Sequence, residues 1–388
     1  MRYSGRIFDG VSLWENAEIE IDETSGLIEY IEDVKNVEEK YKGLTFLPGL
    51  IDTHMHFFGT ASYSLLDWVT TSDVLLTIRS VNDARRLLNA GFTTVRTMGD
   101  KVSLGMSKAE KAGILYSPRI VSSGFSLAET GGNDDPKMLD LETAARVSYS
   151  YYCDGPWECR KAVRKNLRNG AESIKVYAST SFVGGGLIKD ELTTEELQAI
   201  SDEAHRVRLK AASHAYGASA IDNTIEGGFD SVEHGLGLTE EAAEKMLKRK
   251  IFYVPTLAVY NRKREDVNPY RDEIIKRHLD KEVKIAFNSG VKIATGTDYV
   301  GSDNEPHGNN YIEALLLSKY VGPLEALKSA TSISAECLGR PELGFLSKGK
   351  VADMIAVRGD PTTDISLLRP ENIVLVIKNG KVQKKELN

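Results

Sequence analysis

The sequence predicts an α/β protein: a (β/α)8 TIM-like barrel carrying a small β-sandwich domain made from the two chain ends. Three observations predict it. Short apolar runs with strand character alternate with helical patterns through the middle of the chain, eight such runs can be counted, and the two ends share a hairpin-like texture of their own.

The N-terminal stretch, residues 1–45, opens with Arg6-Ile7-Phe8. It continues through Ala17-Glu18-Ile19-Glu20-Ile21-Asp22, in clear apolar/polar alternation, and Leu27-Ile28-Glu29-Tyr30-Ile31. Residues 345–388 return to that pattern in Ala352–Val357 and Ile373–Lys378, the latter before the turn pair Asn379-Gly380. The two ends are therefore expected to form one discontinuous β-domain, with 46–344 as the barrel. Its eight strands are read at 46–56, 92–96, 119–123, 173–177, 211–214, 228–234, 252–257 and 292–295. Helical patterns at 81–90, 104–113, 157–169, 194–208, 239–249 and 271–288 separate them, with Thr193 or Thr194 and Glu196 as capping residues for the fourth. A barrel of about 250 residues plus a small appendage accounts for the 388 residues.

Eight alternating units favour a closed barrel over a doubly wound sheet, and no glycine-rich dinucleotide loop follows the first strand. Gly184-Gly185-Gly186 lacks the trailing Lys-Ser/Thr of a phosphate loop and is read as a loop over the barrel mouth.

Charge and cysteine content narrow the function. The net charge of −7 argues against a polyanionic partner, and basic clusters such as Lys248-Arg249-Lys250 read as solvated helix faces, so neither nucleic acid nor a membrane is expected to bind. The N-terminus has no signal-type apolar stretch, which points to the cytoplasm. Cys153, Cys159 and Cys337 are odd in number and lack CxxC spacing, so reduced thiols are expected.

The chemistry lies at the strand ends. His54-Met55-His56 closes the run Leu47–Thr53, and a strand points alternate side chains to one face, so both imidazoles face the same way. Lys175 lies in Ser173–Tyr177, His214 ends Ala211–His214, His234 follows Ser231–Glu233, and Asp298 follows Ile293–Thr297. A barrel gathers exactly such strand ends at one rim.

On these motifs the chain resembles the amidohydrolase superfamily. The nearest branch is that of imidazolonepropionase-related hydrolases, which contains Xaa-Pro, Xaa-Arg and Xaa-Lys dipeptidases and carboxypeptidases and ochratoxin hydrolases. The resemblance runs from Leu47–His56 through Thr130-Gly131-Gly132, Ile174-Lys175-Val176, Ser213–Gly217, Val232–Gly235, Val254-Pro255-Thr256 and Gly296-Thr297-Asp298 to Gly344–Asp353. It implies that His54, His56 and Asp298 hold one divalent metal and His214 and His234 a second. A carbamate formed from Lys175 and CO2 would bridge the two. The implied activity is hydrolysis of the C–N bond of a dipeptide, N-acyl amino acid or related small amide by a metal-bridging hydroxide, with Asp298 moving the proton. It also implies a homo-oligomer.

The physics is consistent with that ligand set. Two divalent cations about 3.5 Å apart repel by roughly 19 kcal/mol at an effective dielectric of about 20, so anions must bridge them. A lysine beside cations makes sense only as a neutral amine able to capture CO2, which is why Lys175 argues for two metals rather than one. Nitrogen and carboxylate donors without thiolate suit Zn2+.

Alternatives are an imidazolonepropionase-like ring hydrolase or a mononuclear deaminase, which generally lack this lysine, and a non-catalytic scaffold, which would have shed ligands. For substrate contacts, period-2 spacing points Tyr177 and Tyr216 inward, and His307 follows the last strand. Asn133 stands where relatives often carry His. Asp134 and Asp135 beside it are read either as acids at the mouth favouring a cationic substrate or as the shapers of a surface turn.

Overall fold

The computed structural model describes all residues except 63, 183–186, 263–267, 302–305 and 388, so the Gly184–Gly186 segment lies outside the described residues. Sixteen strands are formed among the described residues. Those of the chain ends are β1 (Arg2–Phe8), β2 (Leu13–Asp22), β3 (Leu27–Asp33), β4 (Leu44–Pro48), β14 (Met354–Arg358), β15 (Ile373–Lys378) and β16 (Lys381–Lys385). They make one mixed sheet in the order β16-β15-β14-β4-β1-β2-β3, parallel only between β1 and β4. The alternation of β2 works as its pattern requires, with Ala17, Ile19 and Ile21 inside and Glu18, Glu20 and Asp22 outward. Tyr3, Phe46, Met354, Leu375 and Ile377 complete that core.

The middle of the chain supplies β5 (Leu50–Met55), β6 (Phe92–Thr97), β7 (Arg119–Ser122), β8 (Ser126–Ala128), β9 (Ser150–Tyr152), β10 (Ser173–Tyr177), β11 (Lys210–Tyr216), β12 (Ser231–Leu236) and β13 (Phe252–Val254). These pair in parallel as two sheets, β5-β6-β7 and β13-β12-β11-β10-β8-β9. Parallel strands covered by helices are buried on both faces, and β5, β6, β10 and β12 are buried at every position.

Three differences from the sequence reading have local causes. The run 46–56 is two strands rather than one, divided at Gly49, where a Cβ would meet the Thr93 side chain at 2.1 Å. Residues 292–295 form no named strand. Tyr253 bridges Ile293 there, and Thr295 N turns to Ser329 O and Ser334 Oγ instead of continuing a ladder. The run 252–257 stops at Val254, because Thr256 turns left-handed (φ 50°) and starts the short helix Leu257–Tyr260.

The helices largely follow their signals. Thr193 caps Thr194–His205 in a full capping box with Glu196, and Pro156–Asn169 starts with proline and ends at Gly170 (φ 99°). The pattern at 271–288 becomes Pro269–Arg277 and Val283–Asn288, joined by a π-helical turn, His278–Glu282. Among the described residues, no helix is long and apolar enough to cross a membrane.

Candidate metal centre

The two histidines after β5 are aimed by backbone. Asp52 accepts from His54 N and Thr297 N through one oxygen, and from Thr297 Oγ1 and Asn310 Nδ2 (both 2.7 Å) through the other, tying this strand end to the segment that carries Asp298. Asp298 N donates to His54 O at 2.7 Å and His56 N to Tyr299 O at 2.8 Å. Gly296 permits the approach, since a Cβ there would lie 2.6 Å from His54 Cβ.

Three of the imidazoles have one nitrogen committed to a protein partner. His54 Nδ1 meets Glu233 Oε2 at 2.7 Å, His56 Nδ1 meets Gly99 O at 2.9 Å, and His234 Nδ1 meets Thr256 Oγ1 at 2.7 Å. The His214 Nε2 is buried with no partner among the described residues. Donation from Nδ1 fixes the tautomer in which Nε2 carries a lone pair, the arrangement of a metal-binding histidine.

The free nitrogens face one carboxylate. Asp298 Oδ1 lies 3.3 Å from His54 Nε2 and 3.1 Å from His56 Nε2, and ligand atoms of His54, His234 and Asp298 all fall within 4.8 Å of one another. Lone pairs facing an anionic oxygen repel unless a cation or proton stands among them, so the donor set fits a divalent metal. The His234 ring lies 4.9 Å from His54 and 4.5 Å from His214, which carries the cluster across to β11.

Lys175 lies on the next strand, β10, 1% exposed, its Nζ 4.9 Å from the Tyr177 ring centre. Burial pulls its ammonium down to about 8, against the pull of Glu233, Asp298 and Asp134. Burial, followed by the charge of Lys175 for His214 and of His214 for His234, holds both rings well below the usual histidine range, so they are neutral donors. Burial works to raise Asp298, but the close approach of the His54 and His56 rings outweighs it, and its carboxyl is held well below the ordinary range.

Strain is concentrated here. His234 (φ 64°), Thr256 (φ 50°) and Asp298 (φ 57°) all adopt left-handed backbone, which costs non-glycine residues about 1–2 kcal/mol each. Buried Glu313 accepts from Leu257 N (3.0 Å) and Ala258 N (2.7 Å) and so holds the turn that presents Thr256.

The residues expected at the substrate fall into place unevenly. Tyr216 stacks on His214 (4.3 Å, 27°) and its hydroxyl meets Tyr260 at 2.7 Å. Tyr177 packs on His214 at 5.0 Å, and burial, with the nearby charge of Asp134, raises its phenol well above the usual range. His307 is pinned instead to the backbone, Nε2 to His56 O at 2.9 Å and Nδ1 near Asn310 Nδ2, and burial lowers it to about 4.

Neither reading of the acidic pair fits Asp134. It is 1% exposed and accepts from Ser126, Ser150 and Tyr149 hydroxyls at 2.6–3.0 Å, so it is neither a surface turn nor a free anion at the mouth. Asn133 accepts from Ser181 N and Oγ, and Asp135 from Gly131 N.

Several supporting residues escape a reading of the sequence. Glu233 and Arg96 form a buried pair (2.7 Å), and Arg96 Nε also donates to Thr53 O at 2.6 Å. Burial raises Glu233, but Arg96 and His54 overcome it and bring the carboxyl to about 2. Glu191 is buried beside Gly132 and raised to about 9 by burial and Asp134. The only sequence signal for any of these was a charge inside an apolar strand run, as at Arg96 and Glu233.

The sequence profile of the amidohydrolase family matches residues 45–383. The chain belongs to that family. It is a hydrolase of carbon–nitrogen bonds, in a family that generally depends on metal. Among family relatives it is similar to the ochratoxinase of Aspergillus niger, 30% identical over 387 residues that cover 90% of this chain and 78% of the relative. The solved structure of A. niger ochratoxinase superposes with a TM-score of 0.90 at 28% identity, covering 99% of this chain and 95% of that one. A Xaa-Pro dipeptidase structure with methionine bound in its active site gives 0.86 at 30% identity, covering 99% of both chains.

Proposed function

We propose that this amidohydrolase is a binuclear enzyme that cleaves the C–N bond of a dipeptide, N-acyl amino acid or related small amide. The observation that carries the reading is the convergence of free imidazole nitrogens on Asp298 beside a buried lysine whose ammonium is destabilised. His54, His56 and Asp298 would hold one cation, His214 and His234 the second, and Lys175, carboxylated by CO2, would bridge them, with zinc as the metal. When bound, the two ions supply an ionised water and polarise the scissile carbonyl. Asp298 accepts the proton of the attacking water and delivers it to the departing amine. Glu233 and Thr256 keep His54 and His234 in the donor tautomer. Tyr216 and Tyr177 wall the histidine face where the substrate would lie.

Amide-hydrolysing relatives support the class: the ochratoxinase, the dipeptidase with its bound methionine, and a prolidase holding N-methylphosphonate-L-proline at 27% identity and a TM-score of 0.86. Lys175 disfavours a one-metal deaminase. The architecture we infer is a (β/α)8 barrel over 46–344 and a small β-domain from 1–45 and 345–388. Support for closure comes from the Tyr253–Ile293 and Met55–Tyr299 bridges, which connect β13 to β5 through the segment 293–299, and from Glu172 N, just before β10, donating to Ser122 O of β7 at 2.8 Å.

The test is to screen zinc-loaded protein against Xaa-Xaa dipeptides and N-acyl amino acids while counting metal. Turnover with two ions per subunit is expected. Full activity with one ion per subunit would overturn the binuclear reading, and chelator-resistant activity would overturn metal dependence.

A further inference from the structure

We propose that Cys153 and Cys159 are joined by a disulfide, a covalent staple beneath the loop that carries Asn133 and Asp134. Their spacing holds no pairing signal, and three reduced thiols were the expectation. The fold changes this by placing Cys153 directly after β9 and Cys159 in the first turn of helix Pro156–Asn169, with the two sulphurs facing each other at 2.7 Å. That is inside van der Waals contact for unbonded sulphur atoms, and the two are each other's side-chain partner in a fully buried spot, 1% and 0% exposed. Cys337 is buried elsewhere, beside Val254 and Ala294.

The backbone between the two cysteines is already held for the bond. Cys153 N donates to Ala128 O (3.0 Å), Asp154 N to Glu158 Oε2 (3.1 Å) and Gly155 N to Glu196 Oε1 (2.6 Å). Closing the ring there draws the two sulphurs from 2.7 Å to about 2.05 Å. The stapled turn in turn supports the site's flank. Thr130 N donates to Asp154 Oδ1 at 3.0 Å, and the loop starting there carries Asp134, whose carboxylate accepts from Ser126, Tyr149 and Ser150.

The facing sulphur and burial hold the Cys153 thiol protonated in the folded chain, so the bond forms while this turn is still open, by exchange with a low-molecular-weight disulfide. One thiolate attacks the small disulfide and expels one small thiol. The second thiolate then attacks the mixed disulfide and expels the other. Two protein thiols lose two protons and two electrons, and one small disulfide becomes two thiols.

The experiment folds the full chain in the presence of oxidised glutathione, loads it with zinc, denatures it, and alkylates it without reductant before peptide mapping. Alkylation at Cys337 alone is expected, with a peptide cross-linked between 153 and 159 and about 2 Da lighter for its two lost hydrogens. Cys153 and Cys159 alkylated as completely as Cys337 would overturn the proposal. A second measurement compares melting with and without a phosphine reductant. The oxidised protein should melt about 3 °C higher, and the double variant C153S/C159S should show no such difference while keeping basal activity. Equal melting of oxidised and reduced wild type would overturn the staple's role. Should the double variant fail to fold, the alkylation map of the wild type still decides the bond.

Discussion

Glu233 Oε2 stands 2.7 Å from His54 Nδ1 while its other oxygen takes Arg96 Nη2 at 2.7 Å, so one buried carboxylate orients the His54 ring and neutralises a buried guanidinium. Glu233→Gln is expected to weaken metal affinity about 10–100-fold by loosening the His54 tautomer. Leaving Arg96 unpaired should also cost about 3–5 kcal/mol of stability. Metal titration and thermal melting read the two effects separately, and a variant matching wild type in both would refute the role.

Lys175→Ala should abolish turnover and cut bound metal, because no other described side chain supplies an anion from β10 between the histidine groups. Added short carboxylic acids should restore part of the activity by standing in for the carbamate. Wild-type turnover in this variant would contradict the bridge.

The pH dependence of metal reloading follows from the same residue. Burial lowers Lys175 to about 8, and only the neutral amine takes up CO2, so the competent form is present above that value and lost as pH falls through it. At fixed dissolved CO2, metal-stripped protein reloaded with zinc should regain activity roughly 20-fold faster at about pH 8.5 than at about pH 6.5. A recovery rate flat across that range would count against carbamylation.

Asp298→Ala should retain at least one metal, since the histidines remain, yet lose about 10²–10⁴ of the rate with the proton carrier gone. Metal content and single-turnover kinetics on an active dipeptide would show it. A loss confined to KM would assign Asp298 to binding instead.

Thr256→Val removes the hydroxyl facing His234 Nδ1 while keeping the shape, and should lower metal affinity about 10–100-fold, whereas Thr256→Ser should stay near wild type. Equal behaviour of the two variants would mean that the left-handed turn, rather than the hydroxyl, matters.

Much of the α/β organisation was legible because its signals are local. Alternation in β2, the proline and glycine bounding Pro156–Asn169, and the Thr193–Glu196 capping box each act within a few residues. Where the reading erred, a distant contact intervened: Thr93 against Gly49 splits the run 46–56, and Ser329 with Ser334 draws Thr295 out of a regular ladder. Asp134 was misjudged for the same reason. Its three hydroxyl partners come from residues 8 to 16 positions away, and they turn an apparent surface acid into a buried acceptor.

The amino-acid order alone marked the candidate donors: a His-x-His, a lysine, two further histidines and an aspartate, each in or just after a short strand-like run, where period-2 geometry gives direction without knowledge of the neighbours. What each of these side chains leans on is set by packing. Glu233 and Arg96 lie 137 residues apart, Glu233 and His54 179 apart, and Thr256 meets His234 only because a strained turn is held by Glu313. A buried polar partner is chosen by which strand ends become neighbours, and that adjacency is a property of the packed sheet rather than of any stretch of sequence.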